Sequence, residues 1–92
     1  MLYLDTSALL KLYLREEGSE WVQAQVAGQS DPLPVWELQE AELNNALRLK
    51  VFWRDITASQ AEAQLALFRS RKERGLYIFP MLDRAALMER FR

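Results

Sequence analysis

The sequence predicts an α/β fold in which helices cover both faces of a short parallel sheet, giving three layers. Short apolar, β-prone segments stand at residues 2–4, 33–36 and 76–79, and stretches with helical spacing and cap residues separate them. Strands that alternate with helices favour parallel pairing. We therefore expect the order β-α-α-β-α-α-β-α in a single domain spanning residues 1–92.

The first quarter of the chain predicts one strand and two helices. Residues 2–4 form a short apolar run that ends at a polar turn, which is typical of a buried strand. Thr6 and Ser7 are good N-cap residues, so a short apolar helix is expected over residues 8–14. Ser19 is placed to cap a second helix.

The middle of the chain predicts a strand followed by two longer helices. Residues 33–36 contain a proline that suits the start or edge of a strand. A long helix is expected over residues 37–53. Capping boxes that begin at Thr57 and at Ser59 predict the start of the next helix. Gly75 is placed to end it in a left-handed conformation.

The end of the chain predicts a third strand and a last helix. Residues 76–79 are apolar and are followed by a proline. Asp83 can cap a helix over residues 84–92. This helix has no glycine or proline stop signal, and we expect the chain to be truncated there.

The composition excludes several classes of site. The 92 residues include no cysteine and no histidine, so disulfides, thiolate zinc sites and histidine-based catalysis are all excluded. Chemistry would have to come from carboxylates, lysines, hydroxyls or a bound metal. We see neither an export signal nor an apolar stretch long enough to cross a bilayer, so we expect a cytoplasmic protein with no membrane contact.

Charge is unevenly distributed along the chain. Residues 1–46 carry two basic and eight acidic side chains, whereas residues 47–92 carry ten basic and five acidic ones. This asymmetry could place a metal site beside a phosphate-binding surface. An ordinary dipolar surface is the alternative, and from charge alone it is the preferred interpretation.

Asp5 is the first candidate site residue because it follows the first predicted strand. In α/β folds, ligands bind at the carboxyl ends of parallel strands. A carboxylate there can reach a metal ion without crossing the core. The alternative is that Asp5 caps the helix that follows, and the residues alone leave both roles open.

Glu42 is the second candidate, on the predicted long helix. Leu38, Glu42, Asn45, Leu49 and Phe52 recur at steps of three and four and share one stripe. An acid buried on an apolar stripe needs a partner, and a metal ion would serve. Asn45 lies one turn further on and could hydrogen-bond Glu42. The alternative is that the stripe is partly exposed or that Glu42 pairs with a basic residue.

The other charged residues have simpler explanations. Glu37 and Glu40 lie away from that stripe, and we expect them to be solvated. Four basic residues crowd the end of the predicted helix before Gly75, where cations complement the helix dipole. They are Arg69, Arg71, Lys72 and Arg74. Contact with RNA is the alternative role for this group.

Two segments carry a resemblance to a known family. Residues 1–9, Met-Leu-Tyr-Leu-Asp-Thr-Ser-Ala-Leu, resemble the opening of PIN domains, especially those of VapC-type toxins from bacterial toxin–antitoxin pairs. Residues 40–47, Glu-Ala-Glu-Leu-Asn-Asn-Ala-Leu, are similar to the family's second acidic signature. Each segment is weakly specific alone, and their order and spacing strengthen the likeness.

The resemblance implies a metal-dependent endoribonuclease. Asp5 and Glu42 match two acids that bind Mg²⁺ or Mn²⁺, and Thr6 or Ser7 matches a hydroxyl that supports the first acid. The implied partners are an RNA substrate and an antitoxin protein. Mg²⁺ prefers a few carboxylates together with water and substrate oxygens, which agrees with the lack of cysteine and histidine.

The chain departs from the family at its far end. PIN domains of this kind add further acids on a later helix and near a later strand, and Asp83 comes too early to match them. We therefore expect a PIN-like fold that is incomplete at the C-terminus, with exposed apolar surface that favours a homo-oligomer. One alternative function is a non-catalytic PIN-like interaction or dimerisation module. Another is a general α/β domain in which Asp5 and Glu42 are structural.

Overall fold

The computed structural model describes residues 2–80, which form a mixed α/β structure that is mostly helical. Four helices and two short strands follow one another along these residues. They are α1 (Thr6–Leu10), α2 (Ser19–Ala27), β1 (Leu33–Pro34), α3 (Glu37–Phe52), α4 (Ala58–Glu73) and β2 (Tyr77–Ile78). The helix predicted over residues 84–92 lies outside the described residues.

The two strands pair in parallel, as the alternation of elements predicted. Leu33 aligns with Tyr77 and Pro34 aligns with Ile78. The N–H of Val35 donates to the carbonyl of Ile78 at 2.8 Å and continues the ladder by one bond. Each strand is shorter than the predicted segment. Pro34 lies between Leu33 and Val35, whose N–H groups donate to β2, so its missing N–H is on the side away from the partner strand.

The prediction of a strand at residues 2–4 was wrong. Leu2 and Leu4 are half-buried and Tyr3 is exposed, which is the alternation of a strand, yet they pair with no strand among residues 2–80. The carbonyl of Leu4 is occupied instead by the side-chain amide of Gln39, at 2.8 Å. The Tyr3 ring also stacks on Trp36, with centroids 6.1 Å apart. Side chains thus fix this segment where a neighbouring strand was expected.

The first two helices start at residues other than those predicted. Asp5, rather than Thr6 or Ser7, is the N-cap of α1, and the helix ends at Leu10. Gly18 is the N-cap of α2 with φ +88°, a conformation that favours glycine. Ser19 is the first residue of that helix.

The two long helices agree closely with the prediction, and both end in the same type of turn. At the end of α3, the N–H groups of Arg54 and Asp55 donate back to Val51 and Lys50 at 3.0 and 2.9 Å. This is a Schellman motif, and Arg54 takes its left-handed position with φ +60°. The end of α4 repeats the pattern, with Gly75 at φ +78°.

The core is centred on Phe68, which is 1% exposed. Its ring lies 5.2 Å from Tyr77 and 5.6 Å from Tyr13, measured between centroids. The hydroxyls of Tyr13 and Tyr77 hydrogen-bond each other inside this cluster. Aromatic packing therefore joins the turn after α1, helix α4 and strand β2.

Candidate functional site

Asp5 is held in one orientation by the start of α1. Its Oδ1 accepts a hydrogen bond from the backbone N–H of Ala8 at 2.8 Å and another from the Ser7 hydroxyl at 2.9 Å. Both contacts use the same oxygen. Within residues 2–80, Oδ2 has no hydrogen-bond partner, and the residue is exposed. Asp5 thus acts as a helix cap with one carboxylate oxygen still accessible.

The same contacts keep Asp5 ionised. The N–H of Ala8 is the largest influence that lowers the pKa of Asp5 below its ordinary value of 3.8. The Ser7 hydroxyl and the Lys11 charge act in the same direction, against an opposing contribution from burial. Because the folded pKa is lowered, the capping interaction is complete above pH 3.8 and is lost as the pH falls through the lowered value.

Gln39 brings Asp5 to the start of α3. Its amide oxygen accepts from the N–H of Trp36 at 3.0 Å, and its amide nitrogen donates to the carbonyl of Leu4 at 2.8 Å. Leu4 precedes Asp5, and Trp36 follows β1. Glu42 is three residues beyond Gln39 and is therefore its neighbour on the helix surface. The residue before Asp5 is therefore bound directly to the helix that carries Glu42.

Glu42 is exposed, so the stripe of α3 that contains it faces solvent and is not buried in the core. Leu43 and Leu47 are completely buried and form the inner face of α3. Leu38 and Phe52, from the stripe that includes Glu42, are 70% and 79% exposed. The burial argument for a metal ligand at Glu42 therefore fails, because its carboxylate is solvated without one.

The supporting residues have different surroundings. Ser7 contacts the carboxylate of Asp5, as described above, whereas Thr6 is half-buried in α1. Asn45 is exposed, and the hydrogen bonds found within residues 2–80 include none between Asn45 and Glu42. Of the candidate polar groups, only Ser7 has a described contact with a candidate acid.

Glu40 was expected to be solvated, but it is half-buried and forms an ion pair. Its Oε2 lies 3.4 Å from the ammonium of Lys72 on α4. The same ammonium lies 4.3 Å from the ring centroid of Phe79. Lys72 therefore connects α4 to α3 and to the segment after β2. These contacts are additional to its interaction with the dipole of α4. An ion pair that solvent still reaches contributes little to stability, but a cation over an aromatic ring adds to it.

A metal ion bound here would have few protein ligands. Across the part of the chain that the structure describes, no three acidic side chains are close enough together to hold a metal ion. The available donors are the carboxylate oxygens of Asp5 and Glu42. These are hard ligands of the type that Mg²⁺ and Mn²⁺ accept alongside water and phosphate oxygens. The donor chemistry fits such an ion, with most of its coordination left to water and substrate.

Arg71 is the residue that sequence reasoning most underestimated. Its guanidinium carbon lies 5.2 Å above the centroid of the buried Tyr13 ring. It also lines a crevice of about 370 Å³ at the amino ends of β1 and β2. Its spacing of three from Phe68 was the available signal, because residues three apart share a helix face.

Comparisons with protein-family models, with curated proteins and with solved structures find no significant match to this chain. Among residues 2–80, no helix has the length and apolar character needed to cross a membrane.

Proposed function

We propose that this protein is a metal-dependent endoribonuclease of the PIN type, in which Asp5 and Glu42 hold Mg²⁺ or Mn²⁺. The proposal includes the three-layer α/β/α arrangement expected from the alternation of strands and helices and a cytoplasmic location. It also includes an antitoxin partner, which the resemblance of residues 1–9 and 40–47 implies. The observation that supports the proposal is the environment of the Asp5 carboxylate. One of its oxygens is fixed by Ala8 and Ser7, and the other is accessible.

Such a carboxylate is suited to bind a cation at neutral pH. Its lowered pKa keeps the charge, and its hydrogen bonds keep the orientation. When bound, a divalent ion activates water and neutralises charge on a phosphodiester. The role of Asp5 is to bind, that of Ser7 is to orient Asp5, and Glu42 offers the second carboxylate from α3.

Titration calorimetry with MnCl₂ tests the assignment on the whole chain. Asp5→Asn should abolish saturable Mn²⁺ binding, because the amide lacks the charge. It should leave the melting temperature almost unchanged, because Asn is as good an N-cap as Asp. Glu42→Gln should weaken binding, and Mn²⁺-dependent cleavage of a labelled RNA should fall in parallel.

Asp31→Asn is the matched control, since Asp31 is an exposed acid in the turn before β1. It should bind Mn²⁺ as the wild type does. Equal binding by the wild type and by Asp5→Asn would rule out Asp5 as a ligand. A large drop in melting temperature for Asp5→Asn would show that its charge serves the fold.

A non-catalytic interaction module is the second candidate function. The observation that favours it is the amount of apolar surface on α3 and its connection. Leu38, Phe52 and Trp53 are 70%, 79% and 60% exposed. Exposed clusters of large apolar side chains often mark contact surfaces.

A further inference from the structure

The crevice that Arg71 lines has the size and character of a small-molecule site. Its volume of about 370 Å³ falls within the range of about 300–1,000 Å³ that is common for ligand pockets. It lies where the C-terminal end of α2 and the turn before β1 meet the C-terminal end of α4 and the start of β2. The apolar side chains that form its walls are Leu12, Val26, Pro32, Leu33, Leu76 and Tyr77.

Arg71 supplies the positive charge of this crevice. It is half-buried, and its guanidinium carbon lies 5.2 Å from the centroid of the Tyr13 ring, which fixes its position. A guanidinium has several N–H donors, and one contact with a ring leaves most of them available. Among the residues of the lining that the structure describes, no other is basic. The positive charge is therefore concentrated at one point of a mostly apolar wall.

No carboxylate within residues 2–80 neutralises Arg71. The ion pairs found in this part of the chain use four other bases, Lys11, Arg15, Lys50 and Lys72. Asp31 also lines the crevice, but it is exposed and takes part in none of these pairs. Removing a cation from water without a counter-charge is unfavourable, so an anion bound at Arg71 would offset that cost.

We propose that the crevice binds a small organic carboxylate with an apolar body, and that Arg71 binds its carboxylate group. The planar guanidinium matches a carboxylate through two parallel N–H···O bonds. The apolar walls cover a ring or a branched alkyl group and remove it from water. A monoanion suits this lining better than a phosphate monoester, whose charge of about −2 would meet a single base and the acid Asp31.

The carboxylate site goes beyond the proposed ribonuclease function and does not depend on it. Neither Asp5 nor Glu42 lines the crevice. Asp5→Asn should therefore lose Mn²⁺ binding and retain carboxylate binding, whereas Arg71→Gln should do the reverse. The two proposals can fail separately.

Two matched compounds test the site on the whole chain by nuclear magnetic resonance. Hydrocinnamate has a carboxylate and an apolar ring, and hydrocinnamamide has the same shape without the charge. The backbone amide signals of Leu33, Gly75 and Tyr77 should shift as hydrocinnamate is added, with a dissociation constant of about 1 mM or less. Hydrocinnamamide should bind at least about tenfold more weakly, because it cannot form the charge-assisted pair with Arg71.

Three substitutions separate the role of Arg71 from a general effect of charge. Arg71→Gln should weaken hydrocinnamate binding at least about tenfold and leave the weak binding of hydrocinnamamide unchanged. Arg69→Gln is the matched control, because Arg69 is exposed on the same helix but lies about 200° around it from Arg71. Asp31→Asn should tighten hydrocinnamate binding about twofold, because it removes a like charge from the lining.

Three results would overturn the proposal. The first is no shift of these signals with hydrocinnamate at about 10 mM, including the case in which another segment of the chain fills the crevice. The second is equal affinity of the wild type for hydrocinnamate and hydrocinnamamide, a comparison that does not depend on how well any variant folds. The third is an equal loss of hydrocinnamate binding with Arg71→Gln and Arg69→Gln.

Discussion

Helix α3 has two apolar faces with different surroundings. The inner face contains Leu43 and Leu47, and the outer face contains Leu38, Leu49 and Phe52. Leu43 and Leu47 are completely buried, whereas Leu38 and Phe52 are more than two-thirds exposed. Both stripes follow helical spacing, so periodicity alone cannot tell them apart. What separates them is the position of α1 and α4, which pack on the side of Leu43 and Leu47. Hydrophobic spacing identifies a stripe, and tertiary packing decides which stripe is buried.

The largest expected difference in stability is between two leucine truncations, one on each face of α3. Leu47→Ala should lower the free energy of unfolding by about 2–5 kcal/mol, because it leaves a cavity in the core. Leu49→Ala should cost less than about 1 kcal/mol, because that side chain is partly solvated. Urea denaturation at a concentration where the chain is monomeric measures both. Equal losses would mean that the outer face is covered within one chain.

Burial also matters for polar groups, because the aromatic cluster encloses the hydroxyls of Tyr13 and Tyr77. Tyr13→Phe should cost about 1–3 kcal/mol, because it leaves the buried hydroxyl of Tyr77 without its partner. The double change Tyr13→Phe/Tyr77→Phe should cost less than the sum of the single changes. Thermal denaturation of the three variants gives the coupling. Additive losses would show that the two hydroxyls act independently.

The same pair predicts the alkaline behaviour of the fold. Burial is the main cause that raises the pKa of Tyr13 above its ordinary value of 10.0, and the hydrogen bond with Tyr77 adds to it. Since the folded pKa is the higher one, this stabilisation is complete below pH 10.0 and is lost as the pH rises towards the raised value. The wild type should therefore lose stability above pH 10 more steeply than Tyr13→Phe.

The smallest expected effect on stability concerns the turn at the C-terminal end of α3. Arg54 has φ +60°, where a side chain is strained and glycine is not. Arg54→Gly should stabilise the protein by about 0.5–1 kcal/mol. Gly75→Ala at the corresponding position after α4 is the matched reverse change and should destabilise by a similar amount. A loss of stability with Arg54→Gly would show that its side chain contributes more than its backbone costs.

Local signals in the sequence predicted much of the fold. The start of α4 was predictable because Thr57 and Gln60 form a capping box, and both of its hydrogen bonds are present. The end of α4 was predictable because Gly75 suits a left-handed turn. The parallel pairing of the two strands followed from the alternation of elements. These features depend on residues that are close together in the chain or on general rules of connection.

Features that depend on distant contacts were not predictable. Residues 2–4 have the pattern of a strand, but the amide of Gln39, 35 residues away, binds the carbonyl that a ladder would have used. Asp5 was recognised as a candidate, and its capping role was left open because a carboxylate at the end of a strand can either cap the next helix or reach a metal ion. The contact between Arg71 and Tyr13 depends on how α4 lies across the turn after α1, which spacing along one helix does not show.

The pairing of β1 with β2 has a consequence for the order of assembly. Leu33 and Tyr77 are joined across 44 residues of chain, and closing a loop of that length costs about 3 kcal/mol of chain entropy. A ladder of two-residue strands offers too few bonds to offset this by itself. Helices α3 and α4 lie between the two strands in the chain and contact each other, which brings the strand ends closer together. We therefore expect the two strands to pair late in folding, after α3 and α4 have packed on each other, and amide hydrogen exchange at Val35 should be faster than in the middle of α3.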